Sequence, residues 1–158
     1  MVSVNGRQTF VIVGAGLAAG RAVQELRESG FEGHIVLYGS EAHPPYERPP
    51  LSKGFLMGTD DFESAFVQPL EWYRDHDIDL RLSTTVTAIH PASRTVTTGD
   101  GRQSYDKLLL ATGALPRRLA TSDHGAPVTY LRTIEDAWKL RRLGYSRTAT
   151  PIGGIWKK

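Results

Sequence analysis

The sequence predicts an α/β fold: a parallel sheet around a strand–helix–strand unit, with a small antiparallel insertion. A β-branched and aromatic run at Thr9–Val13 is followed by a helical pattern over Leu17–Ser29 and by a second strand-like run at His34–Tyr38. Strand, helix and strand in so short a stretch form a βαβ unit, for which parallel pairing and a right-handed crossover are the strong default. Alternating runs further along the chain are typical of antiparallel strands, and they predict the insertion.

Glycines mark the ends of the first strand and of the helix in the strand–helix–strand unit. Gly14 ends the first strand, and Gly30 follows the helix as a C-terminal stop signal. Between them, apolar residues recur at helical spacing, at Ala18, Ala22, Val23 and Leu26. The pattern therefore predicts one helix with a single apolar face.

A proline-rich loop and a short helix come next. Four prolines between His43 and Lys53 exclude regular secondary structure there, so we expect an ordered loop or a set of turns. Residues 69–76 predict a short helix that has Pro69 in its first turn.

Three strand-like runs follow the short helix, at Ile78–Leu82, Thr85–His90 and Arg94–Thr98. The last of them ends at Gly99–Gly101, which is a turn signal. Tyr105–Ala111 then predicts another buried strand, because it ends in a continuous apolar run.

The last part of the sequence predicts one more strand, a helix and a tail. Val128–Leu131 is a weak strand candidate, and Thr133–Asp136 has the pattern of a capping box, so a helix is expected from there to about Leu143. Residues 144–158 show neither helical nor strand periodicity. We therefore divide the chain into a domain at residues 1–143 and a tail at residues 144–158.

The end of the predicted helix and the tail are together basic. Residues 137–158 carry a charge of +6 and no acidic residue, whereas residues 1–136 carry a charge of −4. No aromatic-interleaved basic stripe accompanies this charge, so nucleic-acid binding is not expected. We expect the tail to be either out-of-frame translation after a frameshift or a disordered end.

Composition excludes several classes of protein. The 158 residues are 40% apolar and 23% charged, which is ordinary for a globular protein. There is no cysteine, which excludes disulfides, thiolate metal sites and a Cys-x-x-Cys redox pair. The five histidines show no ligand spacing, so no metal site is expected. No run approaches the ~18 apolar residues of a membrane helix and no signal peptide is visible, so we expect a cytoplasmic chain without a membrane partner.

A glycine-rich turn carries the first functional signal. Gly14-Ala15-Gly16-Leu17-Ala18-Ala19 fits G-x-G-x-x-A between the first strand and the helix. Gly14 permits a tight turn, Gly16 lets the backbone approach a pyrophosphate, and Ala19 allows close helix–sheet packing. The helix N-terminus adds N–H groups and partial positive charge. The alternative is a glycine-rich turn with small packing residues, but the flanking strand and helix favour dinucleotide binding.

Glu41 lies just past the second strand, where an acidic residue is expected to accept hydrogen bonds from a ribose. The alternative is an exposed loop carboxylate, which is the commoner environment of a glutamate. The position of Glu41 along the chain does not choose between the two.

Three longer motifs resemble one enzyme family. Tyr46–Lys53 (YERPPLSK) resembles the proline-rich loop of the flavin-dependent ferredoxin and rubredoxin reductases, in the pyridine nucleotide–disulphide oxidoreductase superfamily. Leu108–Arg117 (LLLATGALPR) is similar to the superfamily's second flavin motif, and Tyr130–Ala137 (YLRTIEDA) to the segment leading out of this half of the flavin domain. The matches stand in family order and cover about residues 9–143.

The resemblance implies a Rossmann-like FAD-binding domain that is incomplete, with FAD rather than NAD in the first site. The implied cofactor-binding residues are Gly14, Ala15, Gly16, Ala18, Glu41, Arg48, Lys53, Val86, Ala111, Thr112, Gly113 and Arg132. Glu41, or Ser40 beside it, would meet the adenosine ribose, and Val86 would offer its backbone to the adenine. The family often has Asp-Glu at this place, and Ser40 departs from that pattern.

Three of the implied residues are cations. Arg48 would pair with a phosphate, Lys53 would approach the isoalloxazine ring, and Arg132 would make a further polar contact. Arginine supplies planar, permanently charged donors, and a lysine near a flavin could stabilise its reduced, anionic ring. Without the family pattern, Arg48 and Lys53 would be interpreted as solvated loop charges, and the resemblance favours the flavin roles.

The resemblance further implies an oxidoreductase that passes electrons from NAD(P)H through FAD to a ferredoxin or rubredoxin. Family members continue into a second G-x-G-x-x-G unit that binds NAD(P)H, and this sequence contains no such unit. We therefore expect a truncated flavin-binding fragment that is inactive by itself. Two alternatives stay open: a NAD(P)-binding dehydrogenase domain, and a non-catalytic nucleotide-binding module.

Overall fold

The computed structural model of the chain describes residues 7–118 and 128–144, together with the backbone of residues 151–152 and 155–156. These residues fall into two units. The first unit comprises Met1–Tyr46 and Phe66–Gly113, and the second comprises Glu47–Ala65 and Ala114–Lys158.

The helices and strands follow the predicted order closely. The helices are α1 (Leu17–Glu28), α2 (Gly54–Met57), α3 (Leu70–Asp75) and α4 (Ile134–Arg142), with 3₁₀ turns at Pro49–Ser52 and Phe62–Ala65. The strands are β1 (Thr9–Val13), β2 (His34–Tyr38), β3 (Ile78–Arg81), β4 (Ala88–His90), β5 (Thr95–Thr98), β6 (Gly101–Ser104), β7 (Lys107–Leu110), β8 (Pro151–Ile152) and β9 (Ile155–Trp156). The predicted proline-rich loop contains one of the 3₁₀ turns, and α2 and the second 3₁₀ turn were not predicted.

A parallel sheet with the strand order β3-β2-β1-β7 forms the centre of the first unit. β1 pairs in parallel with β2 on one side and with β7 on the other, so that Val11 lies opposite both Val36 and Leu108. This confirms the predicted strand–helix–strand unit. The run at Ile78–Leu82 also belongs to this sheet, because β3 pairs in parallel with β2, a placement that its sequence pattern did not specify.

Apolar side chains cover both faces of this sheet, since successive residues of a strand point to opposite sides. The core on the α1 side consists of Ile12, Ala19, Val23, Ile35, Leu37, Tyr73 and Ile78. The core on the opposite side consists of Val11, Val13, Val36, Tyr38 and Val96. Val96 belongs to β5, so the antiparallel strands pack on this second face.

The antiparallel insertion is confirmed as a three-stranded sheet with the order β4-β5-β6. β4 is shorter than predicted and begins at Ala88 rather than Thr85. β6, with the sequence GRQS, was not predicted because it has no apolar residue. Its backbone pairing with β5, with Gly101 opposite Thr98, makes it a strand.

The prediction that Tyr105–Ala111 is a buried strand was wrong in its burial. β7 forms at Lys107–Leu110, but Leu109 and Leu110 are 42% and 56% exposed. The physical reason is position, because β7 is the last strand in the order β3-β2-β1-β7 and has a neighbour on one side only among the described strands. An apolar groove of about 390 Å³ runs between α1 and β7, lined by residues that include Leu26, Leu108 and Leu109.

The second unit contains the predicted capping box. The Thr133 hydroxyl accepts a hydrogen bond from the backbone N–H of Asp136, and the Asp136 carboxylate accepts one from the backbone N–H of Thr133, so both ends of the motif are satisfied at the start of α4. Phe55 and Phe62 pack edge-on against Trp138, with ring centroids 6.3 Å and 5.8 Å away. These contacts join α4 to the segment Glu47–Ala65 within the second unit.

Two predictions for the second unit differ from the structure. Val128–Leu131 forms no strand, because four alternating residues have no partner strand among the described residues and lead directly into the capping box. Within the predicted tail, β8 and β9 pair in antiparallel fashion, with Ile152 opposite Ile155, where no strand was expected. In residues 7–118 and 128–144, no helix is long and apolar enough to cross a membrane.

Replacing Tyr73 with phenylalanine is expected to stabilise the protein. The Tyr73 side chain is 1% exposed, and its hydroxyl has no hydrogen-bond partner among the described atoms. A buried, unpaired hydroxyl costs free energy, so Tyr73→Phe should raise the free energy of unfolding by about 1 kcal/mol in a urea titration at pH 7. Burial also raises the pKa of Tyr73, so the wild-type chain should lose further stability above about pH 10, where the unfolded chain ionises, and the variant should lose less.

Tyr38→Phe is the matched control for this substitution. The Tyr38 hydroxyl accepts a hydrogen bond of 3.0 Å from Arg81, so its removal should lower stability rather than raise it. If Tyr73→Phe destabilises the chain as Tyr38→Phe does, the Tyr73 hydroxyl has a partner and the prediction is wrong.

Candidate functional site

The glycine-rich turn of the first unit is held between the ends of two strands. Gly14 has a φ of +103°, and its N–H donates a 2.8 Å hydrogen bond to the carbonyl oxygen of Tyr38. A Cβ atom at Gly14 would lie 2.2 Å from the carbonyl oxygen of Ala111, just after β7. Glycine is therefore required at this position both by the backbone conformation and by the close approach of Ala111.

At Gly16, neither the backbone conformation nor a close neighbouring atom requires a glycine. It has a φ of −92°, and a Cβ atom built on it would meet no described atom within 4 Å. Gly16 is also the N-cap residue of α1, where backbone N–H groups without an intrahelical partner point out of the helix. A glycine that faces open space at a helix N-terminus leaves room for an anion to approach the backbone.

Of the residues that follow Gly16, some are exposed and others are packed against the rest of the first unit. Ala18 is exposed, whereas Ala19 is fully buried in the core on the α1 side. A Cβ atom at Gly20 would lie 2.8 Å from Pro45 and 3.1 Å from Val67, so α1 packs closely on these residues. Small residues in the first turns of α1 therefore allow this end of the helix to pack closely on Pro45 and Val67.

Glu41 lies on the turn after β2, beside the glycine-rich turn. A Cβ atom at Gly39 would be 2.6 Å from the Cβ atom of Ala15, so the two turns touch. The half-buried carboxylate of Glu41 accepts a 2.5 Å hydrogen bond from the hydroxyl of Tyr46. Glu41 is therefore not an ordinary exposed loop carboxylate. Of the two neighbours Ser40 and Glu41, Ser40 is the exposed one.

Four other predicted residues of the first unit lie on two segments. Val86 is half-buried and packs on the core that contains Val96. Ala111 lies against Gly14, and Thr112 and Gly113 follow it as exposed backbone without regular secondary structure. The structure therefore brings the glycine-rich turn, the turn at Glu41 and the end of β7 together.

Arg48 and Arg132 lie in the second unit and contact each other. Arg48 Nη1 donates a hydrogen bond to the carbonyl oxygen of Arg132. Arg132 Nε donates to the carbonyl oxygen of Ala114 at 3.1 Å, and the Arg132 N–H donates to Asp136 Oδ2 at 2.9 Å. Both arginines thus have structural partners, and Arg48 already uses part of its guanidinium to hold the backbone at the start of α4.

Lys53 differs from the two arginines. It is exposed and lies between the 3₁₀ turn and α2, with a φ of −125° and a ψ of −119°. Among the described residues, its ammonium group has no hydrogen-bond or ion-pair partner. The Lys53 side chain is therefore available to an external ligand. Its exposure does not distinguish it from an ordinary solvated surface lysine.

Comparison with known proteins identifies the family. The profile of the pyridine nucleotide-disulphide oxidoreductases matches residues 8–154. The chain belongs to this family. The match extends beyond residue 143, where we placed the domain boundary, and the division into 1–143 and 144–158 stays a prediction.

The relatives include the reductases that the three motifs resemble. The chain is 41% identical over 154 residues to the probable ferredoxin reductase CtmF of Castellaniella defragrans, covering 96% of this chain and 38% of that protein. It is 42% identical to a rubredoxin-NAD(+) reductase of Pseudomonas putida, over 92% of this chain and 38% of the relative. The chain spans a little over a third of the length of these relatives.

Solved structures of the family share the fold. The covalent putidaredoxin reductase–putidaredoxin complex matches with a TM-score of 0.80 and 39% identity, over 89% of this chain and 34% of that chain. The ferredoxin reductase for the CYP199A2 system from Rhodopseudomonas palustris matches with a TM-score of 0.78 and 36% identity, over 86% of this chain and 34% of that chain. These similarities confirm the predicted Rossmann-like α/β fold.

Sequence reasoning assigned no role to several residues that shape this pyridine nucleotide-disulphide oxidoreductase site. Gly20 and Gly39 permit the close contacts of α1 and of the two turns, and Tyr46 holds Glu41. Tyr46 stands in the proline-rich motif, so its place there was the available signal. A larger groove of about 1310 Å³ along β3 is lined by none of the predicted site residues, so we do not assign it to the nucleotide.

Proposed function

We propose that this chain binds FAD through the glycine-rich turn of its first unit, as part of an oxidoreductase that passes electrons from NAD(P)H through the flavin to a ferredoxin or rubredoxin. The observation that carries the proposal is Gly16, which faces open space at the N-terminus of α1. The relatives support the electron acceptor, because they are named as ferredoxin and rubredoxin reductases.

The first unit fits a dinucleotide by the chemistry of its groups. The backbone around Gly14, Ala15 and Gly16 and the positive end of the α1 dipole suit a pyrophosphate. Glu41 supplies a carboxylate acceptor for ribose hydroxyls, and Val86 would present its backbone to the adenine. In this proposal Ala18, Ala111, Thr112 and Gly113 line the cofactor at small or exposed positions.

Three of the proposed cofactor-binding residues are cations. For Arg48, Lys53 and Arg132, the support is the family motif in which each residue stands. Arg48 would donate to a phosphate, for which a guanidinium supplies planar, permanently charged donors. Lys53 would place a positive charge beside the isoalloxazine, where it would favour the anionic reduced ring. When bound, FAD supplies the redox chemistry, and the protein supplies binding and electrostatics.

The pyridine nucleotide and the electron acceptor belong to the proposal for the whole protein. The sequence contains one G-x-G-x-x-A turn, which we assign to FAD, and the relatives are much longer than the matched segment. We therefore expect flavin binding from this chain, and no NADH-driven reduction of a ferredoxin when it is tested by itself.

A FAD titration of the purified chain tests this proposal. We expect a saturable change in flavin fluorescence and a shift of the visible spectrum, because binding changes the surroundings of the isoalloxazine. NAD⁺ in the same assay is the comparison ligand. If a chain shown by circular dichroism to be folded binds no FAD, or binds NAD⁺ more tightly than FAD, the proposal is wrong and a NAD(P)-binding domain becomes the better assignment.

A further inference from the structure

Tyr46 is a rigid hydrogen-bond donor to Glu41. The Tyr46 side chain is 3% exposed, and its hydroxyl lies 2.5 Å from Glu41 Oε2. Its backbone is also held, because Tyr46 forms an antiparallel bridge with Phe66 and the N–H of Val67 donates to the carbonyl oxygen of Pro45 at 2.8 Å. The phenol therefore approaches Glu41 from a position that has little freedom to move.

The backbone of Glu41 is held from the other side. The N–H of Ser83 donates to the carbonyl oxygen of Glu41 at 2.9 Å, and the N–H of Thr84 donates to that of Gly39 at 2.8 Å. Since Gly39 touches Ala15 of the glycine-rich turn, the Glu41 carboxylate has a defined place beside that turn. With its main chain fixed, the remaining freedom of Glu41 is rotation of its side chain.

We propose that Tyr46 is a positioning residue for nucleotide binding: its hydroxyl fixes the Glu41 carboxylate in the orientation that accepts hydrogen bonds from the adenosine ribose. The inference rests on the proposed function, since it assumes that the nucleotide is FAD. A glutamate has several rotatable bonds, and ordering it when the ligand binds would cost free energy. In this chain the tyrosine orders the carboxylate beforehand, and that cost is removed from the binding step.

A double-mutant cycle on FAD affinity tests the inference. Tyr46→Phe keeps the buried ring and removes only the hydroxyl, so we expect about a five-fold weaker FAD affinity from the loss of one oriented hydrogen bond. Glu41→Ala should weaken FAD binding by about ten-fold. In the Glu41→Ala background, Tyr46→Phe should have no further effect, because the hydroxyl has no carboxylate left to orient.

The control is Tyr105→Phe, in the same unit, which removes a hydroxyl from a half-buried tyrosine that packs on the core containing Val96. It should leave FAD affinity unchanged, and all variants are compared at a temperature where circular dichroism shows them folded. A FAD affinity of Tyr46→Phe within two-fold of wild type, or effects of Tyr46→Phe and Glu41→Ala that simply add, would overturn the positioning role while leaving FAD binding intact. If the wild-type chain binds no FAD, the proposed function fails and the inference fails with it.

Discussion

Replacing Gly14 with alanine is expected to lower the free energy of unfolding by about 4 kcal/mol. Two costs add: the φ of +103° strains any residue with a Cβ atom, and that atom would lie 2.2 Å from the carbonyl oxygen of Ala111. The contact is with backbone that also pairs with β1, since the Ala111 N–H donates to the carbonyl oxygen of Val13 at 2.8 Å. Relief would therefore require separating β7 from β1. Urea unfolding followed by circular dichroism measures the change.

Gly16→Ala is the matched control for this prediction, since it makes the same chemical change two residues further along. At Gly16 the new methyl group meets no described atom and the backbone conformation is ordinary. We expect a loss of about 1 kcal/mol at most, the usual cost of an alanine at a helix N-cap. Equal unfolding midpoints for Gly14→Ala and the wild-type chain would show that β7 does not press on the turn.

Replacing Gly16 with valine is expected to weaken FAD affinity by about 100-fold or more, while the chain stays folded. The side chain would occupy the open space at the N-terminus of α1, where the proposed pyrophosphate contacts backbone N–H groups. A 100-fold loss corresponds to about 2.7 kcal/mol, within the range that overpacking a close contact costs. The flavin fluorescence titration measures the affinity, and circular dichroism checks the fold.

Gly99→Val is the control for the valine substitution. Gly99 lies in the turn between β5 and β6, its Cβ would meet no described atom within 4 Å, and no nucleotide contact is proposed for it. FAD affinity should be that of the wild-type chain. If Gly16→Val binds FAD as tightly as Gly99→Val does, the pyrophosphate is held elsewhere and the proposed site is wrong.

Prediction from the sequence was most successful where the signal is local. The bounds of β1 and β2 agree with the structure, and α1 ends one residue before the predicted Ser29. The capping box at Thr133 was also predicted, because both of its hydrogen bonds join residues three apart. In each case neighbouring residues carry the cause: β-branched runs, helical spacing, a terminating glycine or a cap.

Prediction was less successful where a distant segment decides the structure. Leu109 and Leu110 have the pattern of a buried strand, but the exposure of β7 depends on which strands lie beside it. The run at Val128–Leu131 alternates, yet a strand needs a partner to pair with. The FAD contacts, the domain division at residue 143 and the cytoplasmic location stay predictions.

Local sequence patterns account for the βαβ unit, the place of the glycine-rich turn and the family motifs, because each depends on residues close together along the chain. The difference between the two glycines comes from tertiary packing: Gly14 lies against Ala111, nearly a hundred residues later, while Gly16 faces open space. Tertiary packing also brings Tyr46 to Glu41 and Arg48 to the backbone of Arg132. The partners of a side chain and the open space around it depend on how distant segments pack together. A local sequence pattern does not contain that information.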